Sequence, residues 1–159
     1  MPPAQFVDLA QFDLDHVEFG AEQIRAVNPH RYEFELLSTI IAYRPEEGFI
    51  VGSLQTTPED FWVRGHIPGN PLMPGVVMVE AAAQLCSFYW RTHFPDVDKF
   101  FGFGGIEETS FRNKVLPGDR LILVGKSIQV KTRRAIFGCQ GYVNGTMTFD
   151  TVIRGLIVG

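Results

Sequence analysis

The longest unbroken apolar stretch of the chain follows Pro74. From Val76 to about Arg91, the residues Val76, Val77, Met78, Val79, Ala81, Ala82, Ala83, Leu85, Cys86, Phe88, Tyr89 and Trp90 put apolar side chains on every face of a helix, and no glycine or proline interrupts it. A helix that is apolar all round is a buried helix. At 1.5 Å per residue it runs about 25 Å, which crosses a small domain but falls short of a bilayer. Elsewhere the runs are β-like. Leu36 to Tyr43 and Phe49 to Thr56 are β-branched and apolar, and Arg44-Pro45-Glu46-Glu47-Gly48 between them is a hairpin signal. Phe100 to Phe111, Asp119 to Lys131, Ala135 to Asn144 and Thr146 to Ile157 continue as strands, with Lys131 to Arg134 and Asn144-Gly145 as turns. Gly20 to Val27 reads as a short helix, residues 1–19 have no clear period, and Pro58 to Trp62 allows one helical turn. One long apolar helix followed by a run of strands predicts an α+β layer, a curved antiparallel sheet wrapped around the helix.

Two polar residues break the apolar helix. Glu80 and Gln84 are four apart and so share a face. A buried carboxylate is costly unless it is paired or employed, and Arg112 or Arg120 could neutralise it. The segment before the helix, His66-Ile67-Pro68-Gly69-Asn70-Pro71-Leu72-Met73-Pro74-Gly75, is dense in turn residues and should be rigid and irregular. Pro74 suits the first helical position, and Gly75 leaves its N–H accessible. The free N–H groups of a helix start favour negative charge. An imidazole, a carboxylate and an anion site therefore cluster.

At these residues the chain resembles the 3-hydroxyacyl-(acyl carrier protein) dehydratases of bacterial fatty acid synthesis, the FabZ and FabA types. Gly65-His66, Pro68-Gly69, Pro71, Pro74-Gly75-Val76, Glu80-Ala81 and Ala83-Gln84 match the pattern of that family at its spacing. Asn28-Pro29-His30-Arg31-Tyr32-Glu33-Phe34 is similar to its Pro-His-Arg-Tyr-Pro-Phe segment, and Val115-Leu116-Pro117-Gly118-Asp119-Arg120-Leu121 to its Pro-Gly-Asp turn. The resemblance runs from about residue 28 to the end, so that residues 1–159 form a single domain with a lead-in over 1–27.

The resemblance implies a hot-dog fold and removal of water from a 3-hydroxyacyl thioester carried on acyl carrier protein, giving the trans-2-enoyl product. It implies His66 as the base, the Gly75 N–H as the site for the thioester oxygen, and Glu80 as the group that protonates or orients the leaving hydroxyl. Val76 would stand beside the substrate, Gln84 would do so or serve as a structural hydrogen-bond partner of the loop, and Phe61 and Trp62 would line the approach or simply be core. His30 would pack against the entrance. In the family, His and Glu of one site come from different subunits, which implies a homodimer or a larger homo-oligomer. Glu80, where the isomerising FabA type typically has Asp, implies dehydration without isomerisation. Phe88, Met78, Phe101 and Phe103 are possible walls of the acyl tunnel. Arg112, Lys114, Lys126, Lys131, Arg133 and Arg134 offer either a docking surface for an acidic carrier protein or an ordinary charged face. Ile67 stands where the family has Phe, Glu33 where it has Pro and Ser38 where Asp is common. These departures leave room for a specialised pathway. A hot-dog thioesterase and a non-catalytic acyl-binding protein are the alternatives, but the intact His66 loop speaks against the first and the presence of both His66 and Glu80 against the second.

Composition narrows this further. A net charge of -4 argues against a nucleic-acid partner, and 45% hydrophobic with 20% charged residues reads as globular. Cys86 and Cys139 are expected to be buried and reduced, without metal-site spacing. No cofactor or metal is implied. The acidic N-terminus has no signal-peptide pattern, which leaves a cytoplasmic location and no membrane insertion as the expectation.

Overall fold

In the computed structural model, which describes residues 1–159, the apolar stretch is a helix, Gly75–His93 (α2), and an earlier short helix covers Ala21–Val27 (α1). Pro74 caps α2 instead of starting it, so Gly75 is the first helical residue. Proline's missing N–H is harmless at either position. The first turn of α2 is not buried: Val76 is 74% exposed, whereas Trp90, Phe88 and Leu85 are sealed. The helix ends where Phe94 and Pro95 follow the basic last turn of Arg91 and His93, whose charge complements the helix C-terminus.

Six strands follow the expected runs: Thr39–Arg44 (β1), Phe49–Gln55 (β2), Phe100–Phe111 (β3), Arg120–Val130 (β4), Arg134–Val143 (β5) and Thr146–Val158 (β6). They form one antiparallel sheet in the order β1-β2-β4-β5-β6-β3. Asn144 and Gly145 adopt φ of 49° and 78°, the left-handed pair that matches the twist of a two-residue hairpin. Pro58 to Trp62 forms successive turns without a helix, tied by the Asp60 carboxylate accepting from the Thr57 amide at 3.0 Å. No helix is long and apolar enough to cross a membrane.

The sheet curls around α2, and its inner face and the helix make the main core. Close approach is bought by glycine: a Cβ at Gly52 would lie 2.7 Å from Leu85 Cδ1. Cys86 and Cys139 meet in this core as free thiols, with their sulfur atoms 3.4 Å apart. That is well beyond the roughly 2.05 Å of a disulfide bond, and burial pushes the Cys86 thiol pKa up.

The lead-in is a structural element that periodicity does not reveal. Phe6, Leu9, Phe12 and Leu14 pack on a second apolar cluster, formed by Ile41, Val51, Ile122, Val124, Tyr142 and neighbours on the outer face of the sheet. Gln140 fixes this strap with both ends of its amide. Its Oε1 accepts from the Phe6 N–H at 3.0 Å, and its Nε2 donates to the Ala4 carbonyl at 2.9 Å. The Tyr142 hydroxyl also donates to Oε1, at 2.7 Å. Residues 18–19 bond to Ile40 and cover the β1 edge.

Loss of one partner leaves buried polar groups unmet at about 1–3 kcal/mol each. Gln140→Ala should therefore lower the midpoint of urea unfolding by an amount worth about 2 kcal/mol or more. Equilibrium denaturation followed by tryptophan fluorescence measures it.

Candidate active site

His66 is held at the head of α2 by its own loop. Its amide donates to the Trp62 carbonyl at 2.9 Å, its carbonyl accepts from the Leu72 amide at 2.9 Å, and its ring Nδ1 lies 2.8 Å from the Leu72 carbonyl. A carbonyl only accepts, so Nδ1 is the protonated nitrogen of the neutral tautomer and Nε2 is the one with the free lone pair. The Met73 amide, bonded to the Val115 carbonyl at 2.8 Å, anchors the end of the loop to the segment before the Pro117-Gly118 turn.

His66 lines an open cleft of about 490 Å³ with Pro74, Gly75, Val76, Phe111 and Arg112. The Gly75 N–H has no acceptor within the helix. Phe111 lies against this glycine so closely that a Cβ there would sit 2.7 Å from the ring. Glycine thus lets an aromatic wall and a bare amide share one corner.

Glu80 lies in a different cavity, with His30, Ala83, Ser87 and Phe101 among its walls, and the two spaces have no lining residue in common. Arg112 and Arg120 do not neutralise Glu80. Arg112 donates to Asp150 at 2.7 Å, and Arg120 reaches Asp15 at 3.0 Å. The partners of Glu80 are instead Gln84 and His30. Gln84 Nε2 donates to Glu80 Oε1 at 2.9 Å and to the Phe34 carbonyl at 2.9 Å, while Gln84 Oε1 accepts from the Leu36 amide at 3.3 Å. The Gln84 amide is thus fully engaged, with only 2% of the residue exposed. Asn28 ties the same helical turn from the other side, donating to the Gln84 carbonyl at 2.9 Å.

His30 is the residue that sequence reasoning placed too far out. Its Nε2 stands 3.6 Å from Glu80 Oε1, so it faces the carboxylate and does not merely pack at the entrance. Burial lowers the pKa of its imidazole, with Arg31 and Arg91 adding to the effect and Glu80 opposing it. The Asn-Pro-His-Arg match pointed to the segment, but nothing in the spacing linked it to Glu80.

Trp62 belongs to the core at 5% exposure, and Phe61 stacks on Phe34 at 6.3 Å. Both line a separate surface pocket that meets the His66 cleft only at Met73. They are not walls of the His66 cleft. Of the proposed tunnel residues, Met78 borders that cleft, Phe101 and Phe103 border the Glu80 cavity, and Phe88 is sealed in the core. The six basic residues do not form one surface either. Arg112 and Lys114 rim the His66 cleft, Lys126 lies 5.7 Å from the Phe6 ring on the outer face, and Lys131, Arg133 and Arg134 sit at the β4–β5 turn. No cluster of three or more His, Cys, Asp or Glu is placed to hold a metal ion.

A long helix enclosed by a curved six-stranded antiparallel sheet, with a glycine-rich loop at its head, is the hot-dog architecture. The chain belongs to the FabA-like domain family, whose pattern matches residues 28–152. It is 34% identical over 140 residues to a protein of Ehrlichia chaffeensis named 3-hydroxyacyl-(acyl-carrier-protein) dehydratase FabZ, an alignment spanning 88% of this chain and 96% of that one. The protein of the same name from Ehrlichia canis is 34% identical over 144 residues, with 89% and 97% covered. Among solved structures, the dehydratase heterocomplex ApeI:P from Xenorhabdus doucetiae superposes with a TM-score of 0.73 at 13% identity, over 86% of this chain and 91% of that one. At that identity the likeness speaks for the fold alone.

The lowered pKa of His30 links folding to pH. The unfolded chain binds a proton near pH 6.5 and the folded chain only lower, so this contribution is fully present above 6.5 and is lost as pH falls through the folded value. His30→Gln should therefore flatten the fall in stability below pH 6.5. Urea midpoints of both proteins between pH 5 and 8 test this, and parallel curves would refute it.

Proposed function

We propose that this chain dehydrates 3-hydroxyacyl thioesters presented on acyl carrier protein, as a cytoplasmic enzyme of fatty acid or related lipid synthesis. The observation that carries the site assignment is a loop-fixed His66, its Nδ1 turned to the Leu72 carbonyl so that Nε2 faces away from it, together with a Glu80 steadied by Gln84 on the helix whose first amide is bare. His66 Nε2 takes the proton from the alpha carbon. Negative charge then builds on the thioester oxygen, and the Gly75 N–H at the positive end of α2 stabilises it. The bond from the beta carbon to oxygen breaks as Glu80 gives its proton to the departing hydroxyl, so the products are a trans double bond and water. Exchange with solvent then removes the proton from His66 and returns one to Glu80.

Within one chain His66 and Glu80 line separate spaces, which supports a site completed by a second copy. The β3 edge is where that copy fits. Twelve residues long, β3 pairs only with β6 and carries Phe100, Phe103, Ile106 and Phe111 at 43–52% exposure. A bare edge with exposed aromatics is a pairing surface. The reading is a homodimer in which His66 of one subunit works with Glu80 of the other. On the rim of the cleft, Arg112 and Lys114 suit the acidic carrier protein by charge complementarity. Glu80 in the position of the acid favours dehydration without isomerisation. The thioesterase alternative would leave the carefully tied His66 without a task.

Incubation with 3-hydroxyacyl thioesters should give the trans-2-enoyl product, detected by mass spectrometry, and no cis-3 isomer. His66→Ala and Glu80→Gln should each lower kcat by about 10²–10⁴-fold, the usual range for a lost acid or base. Thioester hydrolysis without enoyl product would overturn the reading. Sedimentation should show a dimer or larger at micromolar concentration, and Ile106→Lys should weaken association and activity together.

A further inference from the structure

We infer that Phe101 is the end stop of the acyl slot and that this restricts the substrate to short acyl chains, about eight carbons or fewer. The inference rests on the dehydratase reading of the Glu80 cavity and adds the length of chain that the cavity takes. Glu80, Ala83 and Ser87 lie on one face of α2 and line the cavity, which at 1.5 Å per residue spans about 10 Å of helix. The next residue on that face is Trp90, and Trp90 is not exposed to the cavity. The ring of Phe101 covers it, stacked at 4.4 Å between centroids with the planes 6° apart.

Three contacts lock this stack. The indole N–H of Trp90 donates to the Lys131 carbonyl at 2.9 Å, which fixes one plate. Phe94 packs on the indole at 5.6 Å. Beneath Phe101 lies Gly155 of β6, where a Cβ would fall 2.1 Å from the ring's Cζ. Any other residue at 155 would push the ring out of place. Phe101 is 8% exposed and Trp90 fully buried, so the stop has no room to swing aside.

The part of the slot that this chain forms has a volume of about 170 Å³. A cavity of about 150 Å³ accommodates benzene, so this one takes about six carbon atoms. Adding the thioester carbon and its neighbour outside the cavity gives the stated length. Phe103, also at the cavity, is 43% exposed and belongs to its open side, so it does not set the depth.

The test has two arms on the full-length wild type, Phe101→Ala and Phe101→Leu. One measures kcat/KM for 3-hydroxybutyryl, hexanoyl, octanoyl, decanoyl and dodecanoyl thioesters. The other measures binding of saturated acyl-pantetheine thioesters of the same lengths by calorimetry, which needs no chemistry. Wild type should lose about tenfold or more in both readouts between eight and twelve carbons, since chain that cannot enter the slot loses its apolar contacts and disturbs the bound pose. In the variants the ratio of the twelve-carbon to the six-carbon value should rise by about tenfold. Leu retains an apolar side chain if Ala unfolds the core, and thermal melting reports which variants are folded. Equal wild-type binding of six and twelve carbons, or an unchanged ratio in the folded variants, overturns the end stop. A length cut-off in binding with no dehydration of any thioester overturns the dehydratase reading and leaves the end stop standing.

Discussion

The buried amide of Gln84 is the contact on which the geometry around Glu80 depends. An apolar helix enclosed by a sheet offers no water to a polar side chain, so each polar group it carries must find a protein partner or impose a cost. Gln84 meets that demand by reaching out of the helix to the Phe34 carbonyl and the Leu36 amide, and with its remaining N–H it holds Glu80. One side chain therefore joins three things: the helix, the segment between α1 and β1, and the carboxylate. The same segment brings His30 within 3.6 Å of Glu80. Both neighbours approach Oε1, so the environment of the two carboxylate oxygens is unequal.

The opposite end of the chemistry obeys a backbone rule. The His66 loop has few ways to fold because prolines and glycines restrict or permit its dihedrals position by position. Its carbonyl at Leu72 fixes the imidazole tautomer. His66 and Glu80 are thus held by unrelated means, one by a loop bonded to itself and one by a helix bonded to a distant segment. The bare β3 edge runs past both, lining the Glu80 cavity with Phe101 and the His66 cleft with Phe111.

Much of this was legible in the sequence, and the limits have physical causes. The long helix and the strands were readable because each buries a repeating apolar face, and their observed ends lie within three residues of the expected ones. β1 begins at Thr39 and not Leu36 because the Leu36 amide is taken by Gln84. The irregular loop and the helix start after it were readable from their prolines and glycines, with Pro74 displaced by one position. What escaped were contacts set by tertiary structure. Phe61 and Trp62 are adjacent in the chain yet one is half exposed and the other buried. The strap of residues 4–14 has irregular apolar spacing, and its anchor at Gln140 lies 136 positions from Ala4. Likewise the charged residues chosen as partners for Glu80 found Asp150 and Asp15 instead.

The lead-in has a consequence for where the sheet can be extended. By lying across the convex side and finishing the rim at Ile40, it leaves a single unfinished seam on the protomer. Strands that can recruit at both margins invite endless ribbons, whereas one open margin consumes itself when two copies join. The first twenty residues, by occupying the β1 margin at Ile40, leave β3 as the margin of the sheet with no neighbouring strand.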